Sequence, residues 1–133
     1  MSVKEAILVV DDEIILLLSM RQELKLAFGS RFAFEMATSA QDALAAIERL
    51  GGQGTPIVLI ISDWLMPGMH GDELLRKVHA EHPSIKLVLL SGHAEDAQMN
   101  ALAEEVGLYA YLNKPYRRTE LIDLVRGAVA ADR

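Results

Sequence analysis

Three aspartates, a serine and a lysine each stand at the end of a short apolar run, and as a set they could handle phosphate. Ala6 to Val10 leads into Asp11-Asp12-Glu13, and Ile57 to Ile61 leads into Ser62-Asp63. Lys86 to Leu90 ends on Ser91-Gly92-His93, and Tyr109 to Asn113 on Lys114-Pro115. If these positions converge, the carboxylates of Asp11, Asp12 and Asp63 raise one another's pKa unless positive charge compensates. The Lys114 ammonium and a divalent cation would do so. Mg2+ suits the arrangement, because it binds through one or two carboxylates, keeps several waters and reserves positions for phosphate oxygens. An aspartate in that setting can act as a nucleophile that forms an acyl phosphate. Neutralising the phosphoryl oxygens is most of what such a transfer asks of a protein, and the Ser91 hydroxyl offers one more hydrogen bond. Asp63 is the expected phosphoryl acceptor.

The elements that must position these residues follow from periodicity. Ile57 to Ile61 is aliphatic throughout, bounded by Thr55-Pro56 and Pro67-Gly68, and reads as a strand buried on both faces. Asp63 then lies at the carboxyl edge of a central strand, where open α/β sheets bind ligands. A helix is expected from Glu13 to Phe28, with Leu16, Met20, Leu24 and Ala27 on its buried face and Gly29-Ser30 closing it. Phe32 to Ala37 is a second strand. Ser39, with Asp42 three residues on, caps a second helix whose stripe is Ala43, Leu44, Ile47 and Leu50. Further helices are expected over 72–81, 94–106 and 119–130, the last with Leu121, Leu124, Val125 and Ala128 inward. Five β-α units with short connections demand a parallel sheet with helices on both faces. Gly51-Gly52-Gln53-Gly54 lacks the Lys-Ser/Thr of a phosphate loop and reads as a connector.

With 133 residues, the chain has room for one domain, with its core over about 6–130. A net charge of -6 without clustered Lys and Arg argues against direct nucleic-acid binding. The absence of cysteine excludes disulfides and suits a reducing compartment. Neither a signal peptide nor a membrane span fits, so a cytoplasmic location is expected.

These motifs reach a known family. Val9-Val10-Asp11-Asp12-Glu13, Asp63-Trp64-Leu65-Met66-Pro67-Gly68 with Gly71, Leu90-Ser91-Gly92 and Tyr111-Leu112-Asn113-Lys114-Pro115 closely resemble the receiver domain of two-component response regulators, including the chemotaxis regulators. The resemblance covers residues 6–130 and implies a flavodoxin-like (βα)5 fold with strand order 2-1-3-4-5. It implies phosphorylation of Asp63 by a sensor histidine kinase or a histidine phosphotransfer protein. Mg2+ would be held by Asp12, Asp63 and the backbone carbonyl of Leu65, and reached by Asp11 mainly through water. Ser91 and Lys114 would bind phosphoryl oxygens, Tyr111 would be the switch aromatic that follows Ser91, and Lys114-Pro115 would be a cis peptide. The output would be a downstream protein or an attached output domain, with helix 4, strand 5 and helix 5 as the altered surface. The resting state would be a monomer or weak homodimer, to which Met99, Ala103 and Tyr111 could contribute.

Blander readings stand beside these. Asp11 and Asp12 could simply favour a helix N-terminus, and Tyr111 could be core. Trp64 is expected to pack in the core, His79 and His82 to be surface residues, and His70 to face solvent. Leu65 and His93 occupy positions where this family varies and phosphoryl lifetime is tuned; Leu65 is expected to slow dephosphorylation. Ile14 to Leu18 is wholly apolar, so some of Ile14, Ile15 and Leu18 should be exposed, either to dock a partner or to pack against the last helix. An aspartyl-nucleophile phosphatase of the haloacid dehalogenase type would carry a second acid where this chain has Leu65. A non-phosphorylated pseudo-receiver would have lost an acid or the lysine, and flavin phosphate would be repelled by Asp11-Asp12-Glu13.

Overall fold

A computed structural model describes residues 4–64, 70–92 and 96–130. Five strands, β1 (Glu5–Val10), β2 (Phe32–Ala37), β3 (Ile57–Asp63), β4 (Lys86–Ser91) and β5 (Ala110–Asn113), alternate with α1 (Ile14–Phe28), α2 (Ala40–Gly52), α3 (Gly71–Glu81), α4 (Asp96–Val106) and α5 (Arg118–Ala130). All neighbouring pairs are parallel and the strand order is β2-β1-β3-β4-β5. This is the expected flavodoxin-like order.

The alternation of side chains along each strand sorts the core into two layers. Ala6, Leu8 and Val10 of β1 and Ile60 of β3 face α2, α3 and α4, where Ala43, Ile47, Leu74, Val78 and Leu102 meet them. Ile7 and Val9, with Leu59 and Ile61, face α1 and α5, against Leu17, Met20, Leu24, Leu121 and Val125. A strand flanked on both faces must be apolar at every position, which is why β1 and β3 carry continuous aliphatic runs. Among the described residues no helix is long and apolar enough to cross a membrane.

Two helices start differently. The Ser39 hydroxyl accepts from the Asp42 N–H at 3.1 Å, as expected for a cap, but the Asp42 carboxylate takes the Thr38 hydroxyl at 3.2 Å instead of reaching back to the backbone of Ser39. α1 has no side-chain cap at Glu13. Instead, the Asp11 carboxylate accepts from the Glu13 N–H at 2.9 Å, just before the helix begins. The buried stripe of α1 is Leu17, Met20 and Leu24; Leu16 and Ala27, expected inward, are exposed. The stripe starts one residue later than expected because Leu17 lies three and seven residues before Met20 and Leu24, the helical repeat that faces the sheet.

Candidate functional site

The carboxyl ends of β1, β3, β4 and β5 meet in one cleft of about 750 Å³, lined among others by Asp11, Asp12, Asp63, Ser91, Lys114 and Tyr116. Backbone hydrogen bonds carry the sheet ladder into the site. The N–H of Asp11 donates to Ala37 O at 3.1 Å, Trp64 to Leu90 O at 2.9 Å, and Lys114 to Ser91 O at 2.9 Å. The functional side chains therefore project from backbone that the sheet holds in place.

Close approach of α3 completes the wall behind Asp63. The Gly71 N–H donates to Trp64 O at 2.8 Å, and a Cβ on Gly71 would collide with the carbonyl oxygen of Asp63. Only glycine lets the helix start there.

Within the cleft the Lys114 ammonium lies 2.9 Å from Asp63 Oδ1 and 3.4 Å from Asp11 Oδ2. Carboxylate oxygens of Asp11, Asp12 and Asp63 lie within 4.8 Å of one another. Asp11 is 1% exposed and Asp63 7%, whereas Asp12 is exposed. Burial pushes the Asp11 carboxyl above the usual carboxylate range, and the Asp63 charge adds to this; the Glu13 N–H and Lys114 oppose it without cancelling it. Burial alone would lower the Lys114 pKa, but its hydrogen bond to Asp63 and the nearby charge of Asp11 carry it above the ordinary lysine value. The cleft thus keeps a full cation against its acids.

The donors fit Mg2+. They are all oxygen, three carboxylates share one face, and Asp12 faces solvent, through which waters of an ion could enter. The Leu65 carbonyl and His93 lie outside the described residues.

Other expectations meet the structure as follows. Ser91 is buried at 2% exposure at the end of β4, in the cleft wall. Tyr111 is 46% exposed on β5, so it is not core in this structure. Ala103 on α4 is half-buried, and the Met99 side chain lies outside the described residues. The Lys114-Pro115 peptide is cis. Trp64 packs against the core and also lines the cleft. His79 is half-buried and His70, which precedes α3, is exposed. His82 is half-buried, with its Nε2 3.8 Å from Glu48 Oε1. Ile14, Ile15 and Leu18 are 57%, 83% and 49% exposed, so packing against the last helix does not cover them.

Three cleft residues, Ser19, Tyr116 and Glu23, escaped the sequence reading. Tyr116, two beyond Lys114, is half-buried, and its phenol is pushed up to about 12 by burial and by the charge of Glu23. Glu23 lines the cleft from α1. The only signal for Tyr116 is its place just after a proline at a strand end. For Glu23 it is its place three residues beyond Met20, which also lines the cleft.

Comparison with known proteins agrees with this geometry. The family profile described as the response regulator receiver domain matches residues 7–126. The chain is 35% identical over 132 residues to the hydrogenase transcriptional regulatory protein HoxA of Cupriavidus necator, covering 98% of this chain and 26% of that protein. It is 34% identical over 128 residues to the C4-dicarboxylate transport transcriptional regulatory protein DctD of Rhizobium meliloti, covering 96% and 26%. The chain thus spans about a quarter of the length of these curated relatives. A CheY-like receiver domain protein from Methanospirillum hungatei superposes with a TM-score of 0.83 at 29% identity, covering 96% of this chain and 95% of that one.

Proposed function

We propose, for a chain that belongs to the response regulator receiver domain family, that residues 1–133 form one phosphoacceptor switch whose acceptor is Asp63. The observation that carries this reading is the Lys114 ammonium 2.9 Å from Asp63 Oδ1, at the mouth of a three-carboxylate cluster. Lys114 neutralises charge on the entering phosphoryl oxygens. As its hydrogen bond passes from Asp63 to those oxygens, the carboxylate is freed to attack in line. Ser91, fixed by its place in the sheet, donates to another phosphoryl oxygen. Asp12, Asp63 and the Leu65 carbonyl would hold Mg2+, with Asp11 reaching it through water. Bound there, the ion supplies charge neutralisation between carboxylates and phosphoryl oxygens.

The donor is a sensor histidine kinase or a histidine phosphotransfer protein. Exposed Tyr111 turns inward as Ser91 moves toward the phosphoryl group, and this biases the surface formed by α4, β5 and α5 toward a downstream protein or an attached output domain. The chain acts in the cytoplasm, binds no nucleic acid itself and is a monomer or weak homodimer at rest.

The test is intact-protein mass after incubation with acetyl phosphate and Mg2+. One phosphoryl adduct that needs the metal, is labile to base and is absent from Asp63→Asn is the expected result. An adduct of equal yield on Asp63→Asn would overturn the assignment.

A further inference from the structure

The cleft holds more negative charge than its chemistry uses. Among the described residues that line it, five are acids, Asp11, Asp12, Glu13, Glu23 and Asp63, and Lys114 is the one lysine or arginine. Asp11, Asp12 and Asp63 are accounted for by the metal and by Lys114. Glu23 is not. It sits half-buried on α1, three residues beyond Met20 and four before Ala27, outside the carboxylate cluster. No ion pair is formed by its carboxylate among the described residues.

We propose, building on the phosphoacceptor reading, that Glu23 is a specificity-determining residue that discriminates between phosphodonors by charge. Its uncompensated carboxylate disfavours small dianionic acyl phosphates and admits donors that carry positive charge beside the phosphoryl group. Glu23 lines the same cleft as Asp63 and Lys114, so a donor that reaches Asp63 shares the opening with its carboxylate. In a cleft with low-dielectric walls a fixed charge is screened less than on an open surface, and field lines are focused along the opening.

Two small donors separate the cases. In acetyl phosphate the P–O bond to the acyl oxygen breaks as the Asp63 Oδ–P bond forms, and acetate leaves with the electron pair. The donor enters as a dianion. In phosphoramidate the P–N bond breaks, and nitrogen leaves as ammonia with the electron pair, having entered already protonated. That donor carries a compensating ammonium, as a protonated phosphohistidine imidazole does.

The experiment measures second-order phosphorylation rate constants of the full chain with each donor at saturating Mg2+, for the native protein, Glu23→Gln and the control Glu48→Gln, which removes an exposed carboxylate of α2 outside the cleft. Glu23→Gln is expected to accelerate acetyl phosphate about two- to five-fold, the size of one partly screened charge, and phosphoramidate less than half as much. High salt is expected to shrink this difference. Mg2+ affinity, read separately by titration, should stay within two-fold, so that the change in donor preference is not a change in metal loading. Equal acceleration with both donors, or rates like those of the control, would overturn the role of Glu23 while leaving Asp63 as acceptor. Failure of both donors to label the native protein would overturn the acceptor reading itself, and this inference with it.

Discussion

Along β1, Ala6 to Val10 are fully buried, and the next residue, Asp11, is 1% exposed. β3 repeats the pattern, with Leu59 to Ile61 at 0% followed by Ser62 at 0% and Asp63 at 7%. The middle of the sheet and its carboxyl edge are nearly equally dry, but burial has opposite consequences in the two regions. Covering a Leu or Ile side chain contributes about 1.5–3 kcal/mol, whereas a carboxylate taken out of water costs free energy until paired. The interior makes the sheet stable. The edge is held in place by that stability and gives some of it up for chemistry.

The largest effect that would sharpen this contrast is expected from Ile60→Ala in the middle of β3. It should cost about 2–5 kcal/mol in urea unfolding, while the protein that remains folded still takes a phosphoryl group. A loss below 1 kcal/mol would mean that the interior carries less than its burial implies. Gly71→Ala lies where the two regions meet. The added Cβ has no room against the Asp63 carbonyl, and displacing α3 should cost about 1–3 kcal/mol and also slow labelling. Labelling at the native rate despite lost stability would uncouple α3 from the Asp63 site.

At the edge itself the sign should reverse. Asp11→Asn keeps an acceptor for the Glu13 N–H and leaves Lys114 paired with Asp63, so the metal-free protein should gain on the order of 1 kcal/mol at neutral pH, while Mg2+ affinity falls. Because the folded state raises the Asp11 pKa above 3.8, its favourable contribution is present below 3.8 and is lost as pH rises through the folded value. The gap between variant and native protein should therefore widen from acid to neutral pH, and a gap independent of pH would contradict this account.

On the alkaline side, Tyr116 holds its proton to about 12 when folded, against 10.0 as the ordinary value. Its contribution is present below 10.0 and lost as pH rises through about 12. Tyr116→Phe should remove a phenolate component at about 12 from an absorbance titration and lessen alkaline destabilisation. The smallest effect is expected from Ile15→Ser, which should change stability by no more than about 0.5 kcal/mol, because Ile15 is 83% exposed.

Legibility in the sequence follows the same division. Strand centres and α2 could be read directly, because continuous aliphatic runs and a capped amphipathic stripe are what the sheet needs there. The acids and Lys114 were legible because each directly follows such a run. α1 was harder. Its apolar residues exceed what one face can bury, so periodicity alone points to Leu16 where Leu17 is buried, and only the structure separates core from surface along it. Tyr116 and Glu23 reach the cleft through tertiary approach of a loop and a helix, which no local period encodes.

The connection from α2 to β3 also has a practical consequence. Gln53 and Gly54 are exposed, and Gly54 takes φ 78 with open space around it. The connection feeds the amino end of β3, so the length of the strand Ile57–Asp63 lies between it and the Asp63 carboxylate, roughly 20 Å at the usual rise. Lengthening a surface loop costs only about 0.6 kcal/mol per doubling. A fluorescent or affinity module could therefore be spliced in at Gly54, giving a reporter whose cargo stays clear of the cleft.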